Sequence, residues 1–89
     1  MQVRARHILV DSQEFAQDLI NQINEGADFG SLAQQHSKCP SGQNGGDLGT
    51  FGRGMMVQPF EDISFGLDVG GVSAPVQTQF GYHVINRTA

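Results

Sequence analysis

The chain opens with an apolar run that carries two arginines and a histidine, Val3-Arg4-Ala5-Arg6-His7-Ile8-Leu9-Val10. Alternate side chains of an extended chain point to the same side, so Val3, Ala5, His7 and Leu9 share one face. The β-branched residues of the run favour a strand. We therefore expect His7 to lie among apolar neighbours on one face of the sheet.

A second strand is predicted at the other end of the chain, from Tyr82 to Arg87, with His83 and Ile85 on one face. The preceding segment, Thr78-Gln79-Phe80-Gly81, is predicted to be a turn. If the first and last strands pair at the centre of the sheet, His7 and His83 can meet. Two imidazoles that bond each other and a hydroxyl or thiol form a satisfied polar network. Such a network suits a structural core as well as a cleft.

Two helices are predicted after the first strand. Asp11 and Glu14 have the spacing of a capping box, and apolar residues then recur at helical spacing until Gly26. Asp28 can cap a second helix, which Pro40 must end at or before its preceding residue.

The middle of the chain is rich in glycine. Six of the twelve glycines lie between Gly42 and Gly54, which predicts a loop with at most a short strand from Asp47 to Phe51. Pro59 starts a short helical run, and a further strand is predicted from Val72 to Val76. This order of elements predicts a single α+β domain over residues 1–89, with helices around a small sheet.

Composition excludes several function classes. The 89 residues hold five Lys and Arg against nine Asp and Glu, a net charge of −4, with no basic cluster. Nucleic acid and anionic membranes are therefore not expected as partners. The segment Met1 to Arg6 lacks the basic and apolar regions of a signal peptide, and the lone Cys39 cannot form an internal disulfide. Both features predict a cytoplasmic protein.

Chemistry based on Cys39 has two interpretations. The thiol could act as a nucleophile if His7 or His36 activated it, or it could be a small buried apolar residue. A zinc site built from His7, Cys39 and His83 needs a further ligand and lacks the short paired spacings of such sites. The glycine-rich segment lacks the Gly-Lys-Ser/Thr ending of a phosphate-binding loop. We expect neither a metal nor a cofactor.

An apolar segment follows the glycines. Met55-Met56-Val57 precedes Pro59-Phe60, and Phe51 and Phe80 are the other aromatic candidates. Flexible and aromatic side chains beside glycines can line an apolar ligand groove, although such residues also build ordinary cores.

Four motifs in order resemble the parvulins, a small family of peptidyl-prolyl cis/trans isomerases. They are Arg6-His7-Ile8-Leu9-Val10, Gly45-Gly46-Asp47-Leu48-Gly49, Phe51-Gly52-Arg53-Gly54-Met55-Met56-Val57-Gln58-Pro59-Phe60-Glu61 and Phe80-Gly81-Tyr82-His83-Val84-Ile85. The resemblance spans Val3 to Arg87 and is strongest to the minimal bacterial and archaeal members. It implies a four-stranded antiparallel sheet surrounded by four helices in the order βα₃βαβ₂.

The resemblance also implies roles for individual residues. The family's catalytic positions fall on His7, Cys39, Thr78 and His83. Its proline pocket falls on Leu48, Met56, Phe60 and Phe80, with Gln58 beside it as a polar contact, while Met55 has no assigned role. The implied activity is rotation about Xaa-Pro bonds of polypeptides, without a cofactor. Nothing in the sequence suggests an assembly interface, so we expect a monomer.

One departure from the family concerns phosphate. The phosphate-selective parvulins insert a basic loop after the first strand, whereas Val10 here leads through Asp11-Ser12-Gln13-Glu14 directly into a helix. A phosphoserine before proline would meet acid, so no phosphate selectivity is expected. The chain also has no Trp, so the aromatic proline-binding module found in some relatives is not expected here. The alternatives are a non-catalytic module that binds proline-containing or apolar peptides, and a thiol-dependent or metal enzyme.

Overall fold

The computed structural model describes all residues from Met1 to Ala89. In chain order the elements are β1 (Gln2–Val10), α1 (Gln13–Asn24), α2 (Phe29–His36), a 3₁₀ helix (Pro40–Asn44), β2 (Asp47–Gly52), α3 (Gln58–Gly66), β3 (Val76–Thr78) and β4 (Gly81–Arg87). The four strands form one antiparallel sheet in the order β2-β1-β4-β3. With the 3₁₀ helix counted, the predicted α+β fold and its βα₃βαβ₂ order are confirmed. None of the helices is both long and apolar enough to cross a membrane.

The sheet is covered on both faces, because successive side chains of β1 point to opposite sides. Ile8 and Val10 are buried against the apolar residues of α1 and α2. Val3 and Ala5 are buried on the other face with residues of β2, α3 and β4. His7 is buried on this second face, as the alternation predicted.

The first helix begins differently from the prediction. The hydroxyl of Ser12 accepts the N–H of Phe15 at 3.0 Å, so Ser12 rather than Asp11 caps α1. Asp11 instead forms an ion pair with Lys38. Asp28 caps α2 as predicted, and the hydrogen bonds that its carboxylate accepts from Ser31 lower its pKa.

The third strand also differs from the prediction. Val72 makes only an isolated bridge to Asn86, and β3 begins at Val76 rather than ending there. Pro75 has no N–H for a ladder hydrogen bond, which accounts for the break. The strand therefore includes Thr78, which lies opposite Gly81 in the register with β4.

The glycine-rich segment holds more structure than expected. Pro40–Asn44 forms a 3₁₀ helix where a loop was predicted, and the short strand predicted after it is present as β2. Gly46 joins the two, with a φ of +86°, and its carbonyl accepts the N–H of His7 at 3.0 Å. A Cβ at Gly46 would lie 2.2 Å from the carbonyl oxygen of His7. Glycine at this position thus lets the segment pack directly against the strand that carries His7.

Candidate active site

The two central strands bring the predicted histidines together. In the antiparallel register of β1 and β4, His83 lies opposite Leu9 and His7 lies opposite Ile85, so the two side chains are diagonal neighbours. Their Nδ1 atoms are 2.9 Å apart, and the rings stack with centroids 5.1 Å apart. Both residues are only 4% exposed.

Hydroxyl groups extend this pair in both directions. The Oγ1 of Thr78 lies 2.7 Å from Nε2 of His83. On the other side, the Oγ of Ser41 lies 3.2 Å from Nε2 of His7 and donates to the Sγ of Cys39, also at 3.2 Å. The structure thus joins all four residues predicted as catalytic positions into one hydrogen-bonded chain, in which Ser41 bridges His7 and Cys39.

One arrangement of protons satisfies every member of this chain. A neutral imidazole has one N–H and one lone pair, so facing Nδ1 atoms require one donor and one acceptor. If Thr78 donates to His83, then His83 donates through Nδ1 to His7, and His7 donates through Nε2 to Ser41. The Ser41 hydroxyl then donates to Cys39. A second proton on His7 would lie on Nδ1, facing the N–H of His83, and would break the chain, whereas a second proton on His83 would lie on Nε2, where the Thr78 hydroxyl can accept it.

Burial keeps both imidazoles neutral. Loss of solvation lowers the pKa of His7 to about 4, with a smaller contribution from repulsion by His83. Loss of solvation also lowers the pKa of His83. Both imidazoles are therefore uncharged at neutral pH.

The depressed pKa of His7 predicts how stability depends on pH. The folded chain binds this proton more weakly than the unfolded chain, so protons favour unfolding. The contribution of His7 to the free energy of unfolding should be complete above about pH 6.5. It should fall as the pH is lowered toward 4, with a loss of about 3 kcal/mol from His7 alone. Urea titrations followed by circular dichroism across this range measure the loss.

The matched variant for this prediction is His7→Asn, which has no titrating ring. Its free energy of unfolding should depend less on pH between about pH 6.5 and pH 4 than that of the unmodified chain. An equal dependence in both proteins would show that His7 does not titrate with a lowered pKa.

A cavity of about 440 Å³ opens beside the histidine pair. Its lining residues are His7, Leu9, Lys38, Cys39, Pro40, Leu48, Met55, Met56, Val57, Phe60, Phe80 and His83. Eight of these twelve are apolar. The four predicted proline-pocket residues therefore share one cavity with three of the predicted catalytic residues, and Thr78 contacts it through His83.

Phe60 forms the fixed floor of the cavity. It is 3% exposed and meets both His7 and His83 edge to face, with ring centroids 5.4 Å apart in each case. Met56 is half-buried above it, whereas Phe80 is 59% exposed and Met55 is 66% exposed. The cavity thus combines an ordered floor with an exposed apolar rim.

Gln58 does not line the cavity. As the first residue of α3 it directs its amide to carboxylates of its own helix, donating to Asp62 at 2.8 Å and to Glu61 at 3.3 Å. Its predicted contact with substrate stays a prediction.

Glu61 secures the segment that carries the two methionines. Glu61 is 5% exposed, and its carboxylate accepts the backbone N–H of Gly54 at 2.6 Å and an N–H of the Arg53 guanidinium at 3.1 Å. Arg53 also lies over the ring of Phe65. These contacts fix the connection between β2 and α3, and with it Met55 and Met56.

Sequence reasoning missed several residues of the site. The sequence assigns no role to Ser41, because its position depends on the 3₁₀ helix, although a hydroxyl residue two positions after Cys39 is a usable signal. It places Leu9 in the strand without a role and assigns none to Lys38. No group of three or more His, Cys, Asp or Glu side chains is arranged to hold a metal ion.

Comparison with known proteins agrees with the fold. A family model described as the PPIC-type PPIase domain matches residues 1–89. The chain belongs to this isomerase family. The resemblance to parvulins is therefore confirmed, and with it the peptidyl-prolyl cis-trans isomerase class of enzyme at the level of the family.

The chain covers its individual relatives to different extents. The foldase protein PrsA of Geobacillus sp. (strain WCH70) is 49% identical over 87 residues, which are 97% of this chain and 32% of the foldase. PrsA of Bacillus anthracis superposes with a TM-score of 0.97 at 39% identity, covering 99% of this chain and 41% of that one. NmPin, the parvulin of Nitrosopumilus maritimus, superposes with a TM-score of 0.91 at 43% identity, covering 99% of this chain and 96% of that one. The chain thus spans about a third of the foldase and nearly all of the single-domain parvulin.

Proposed function

We propose that this PPIC-type domain accelerates rotation about Xaa-Pro bonds of polypeptides by holding the proline ring in the apolar cavity. One observation carries the proposal: the apolar walls of the cavity meet a buried, uncharged histidine pair. A site of this kind binds an apolar ring and excludes water, and its histidine pair carries no charge. Isomerisation is a reaction for which such a site suffices.

The physical basis lies in the twisted amide. The planar Xaa-Pro bond resists rotation with a barrier of about 18–20 kcal/mol, because resonance gives the C–N bond partial double-bond character. At the transition state conjugation is lost, so the oxygen is less negative and the nitrogen is more basic. The twisted form therefore loses less solvation than the planar forms when it enters an apolar cavity. Stronger binding of the transition state than of the substrate is catalysis.

The cavity residues then divide into two groups. Leu48, Met56, Phe60 and Phe80 grip the proline ring while the chain before it rotates. The hydrogen-bonded chain from Thr78 to Cys39 fixes the shape and polarity of the adjoining part of the cavity, where both imidazoles contact Phe60. No covalent bond breaks in the reaction, so Cys39 is not required as a nucleophile.

The polypeptide substrate is not expected to need a phosphate. Lys38 is the only Lys or Arg in the lining, and it is paired with Asp11. Selective phosphate binding uses clusters of arginine or several charge-assisted hydrogen bonds. Some relatives are named foldases, and this name supports the proposal that the substrates are polypeptides that are still folding. A cytoplasmic location and a monomeric state stay predictions.

The proposal is tested by the exchange of short peptides with Leu, Gln, Lys or phosphoserine before proline. NMR exchange spectroscopy measures cis/trans interconversion with and without substoichiometric protein. We expect faster interconversion of the Leu-Pro peptide and no advantage for the phosphoserine peptide. Acceleration confined to phosphoserine would contradict the proposed substrate class.

A second candidate function is peptide binding without catalysis. The exposed apolar rim favours it, because Met55, Val57 and Phe80 extend the cavity surface outward. A binding module would shift the peptide resonances without exchange cross-peaks, and it would tolerate loss of the Thr78 and Ser41 hydroxyls.

A further inference from the structure

Three sulfur-containing side chains line the cavity, those of Cys39, Met55 and Met56. Met56 is half-buried and packs against the core cluster that includes Phe60. Cys39 is also half-buried, and its Sγ accepts the hydroxyl of Ser41. Met55 differs from both, because it is 66% exposed. Of the three sulfur-containing residues, Met55 is therefore the one that a dissolved reagent reaches most freely.

The exposed thioether of Met55 is nevertheless held at one place on the rim. Its Sδ accepts the N–H of Gly52, the last residue of β2, at 3.4 Å. The turn between these two residues is fixed in addition by the Gly54 N–H, which donates to the buried carboxylate of Glu61. A thioether sulfur is a weak acceptor, whereas a sulfoxide oxygen is a stronger one. The Gly52 N–H therefore stabilises an oxidised Met55 side chain more than the reduced one.

From this placement we propose that Met55 is a site of reversible oxidation by hydroperoxides, which changes the rim of the cavity from apolar to polar. With hydrogen peroxide, a lone pair of the sulfur attacks one oxygen, the O–O bond breaks, and the other oxygen leaves as water. The sulfur loses two electrons and the peroxide gains them. The product is methionine sulfoxide, a polar side chain that methionine sulfoxide reductases convert back to the thioether.

The effect of this oxidation on activity rests on the proposed function. A polypeptide whose proline ring occupies the cavity also covers part of the apolar rim. A sulfoxide at Met55 loses water when it is covered, so the bound state is weakened. Met56 and Phe60, which surround the ring, are unchanged. Oxidation should therefore raise KM for a Leu-Pro peptide with apolar flanks more than it lowers kcat, and it should reduce kcat/KM by about three- to tenfold.

The test compares the unmodified chain with Met55→Leu, which keeps an apolar side chain but has no sulfur. Each is treated with hydrogen peroxide, and mass spectrometry of proteolytic peptides locates every added oxygen. The measured quantity is the fraction of its own untreated kcat/KM that each chain retains. The unmodified chain should retain about a tenth to a third, and Met55→Leu should retain nearly all. Methionine sulfoxide reductases should restore the lost activity.

Two controls identify the sulfur responsible. Met1 is 95% exposed and lies outside the cavity lining, so its oxidation in both chains should leave activity unchanged. Because peroxides also oxidise thiols, the comparison is repeated with Cys39→Ser in both chains, and the same difference is expected. Equal losses with and without Met55, or full activity with the oxygen on Met55, would overturn the inference while the proposed function stands. An untreated, unmodified chain that accelerates no peptide would overturn both.

Discussion

Replacing Gly46 by alanine is expected to destabilise the domain by about 3–5 kcal/mol. A methyl group at this position would lie 2.2 Å from the carbonyl oxygen of His7, on a backbone with a φ of +86°. Neither partner can move freely, because both are main-chain atoms and His7 N–H is bonded to Gly46. The 3₁₀ helix would separate from β1, and Ser41 would lose its contact with His7.

Gly54→Ala is the matched control for this prediction. Gly54 has a nearly equal φ of +88°, yet nothing lies within 4 Å of a Cβ built there. It should therefore show only the backbone strain of about 1–2 kcal/mol. Urea unfolding followed by circular dichroism compares the two. Equal losses for both variants would mean that the close approach to His7 does not constrain the fold.

Shortening Met56 to alanine is expected to lower kcat/KM for a Leu-Pro peptide by about ten- to a hundredfold. The thioether side chain lines the cavity and packs against the core that includes Phe60. Without it, water enters beside the proline ring and the twisted amide loses its apolar surroundings. Replacing a fully buried Met by Ala lowers the free energy of unfolding by roughly 2 kcal/mol or more. Met56 is only half-buried, so its replacement should cost less than this.

The activity of Cys39→Ser, compared with that of Met56→Ala, distinguishes catalysis by the apolar cavity from catalysis by a nucleophilic thiol. A serine at position 39 keeps a polar atom for the Ser41 hydroxyl and should retain most of the activity. Met55→Ala should lose less activity than Met56→Ala, because Met55 is largely exposed. A protease-coupled peptide assay measures all three. Abolished activity in Cys39→Ser with intact activity in Met56→Ala would instead favour a nucleophilic thiol.

Apolar Phe60 is a poorer choice for the same experiment. It is buried and contacts both histidines as well as Phe51. Truncating a buried phenylalanine costs about 3–5 kcal/mol, which is much of the stability of a small domain. Loss of activity in Phe60→Ala would therefore report unfolding as much as catalysis.

Local patterns predicted most elements of this fold. Alternation in β1 and β4 gave the face of each histidine, and Asp28 gave the start of α2, because both signals depend on neighbours in sequence. The cap of α1 was displaced by one residue, since Ser12 and Asp11 are both good caps. Asp11 forms an ion pair with Lys38 instead, and this tertiary contact is not visible in the local pattern.

The site required information that local patterns lack. The meeting of His7 and His83 depends on the pairing register of two strands separated by most of the chain, which the sequence permitted but did not determine. Ser41 was missed because a short 3₁₀ helix has too few residues for a periodic signal. The family motifs supplied the pocket residues, whereas the position of Lys38 at the rim emerged only from the structure.

The central claim is that the apolar cavity catalyses rotation rather than merely binding proline. NMR exchange spectroscopy on one Leu-Pro peptide with substoichiometric protein at neutral pH tests it directly. We predict cis/trans exchange cross-peaks that appear with the protein, strengthen with its concentration and weaken sharply with Met56→Ala. Resonances that shift on binding while the exchange rate stays at its uncatalysed value would contradict the account.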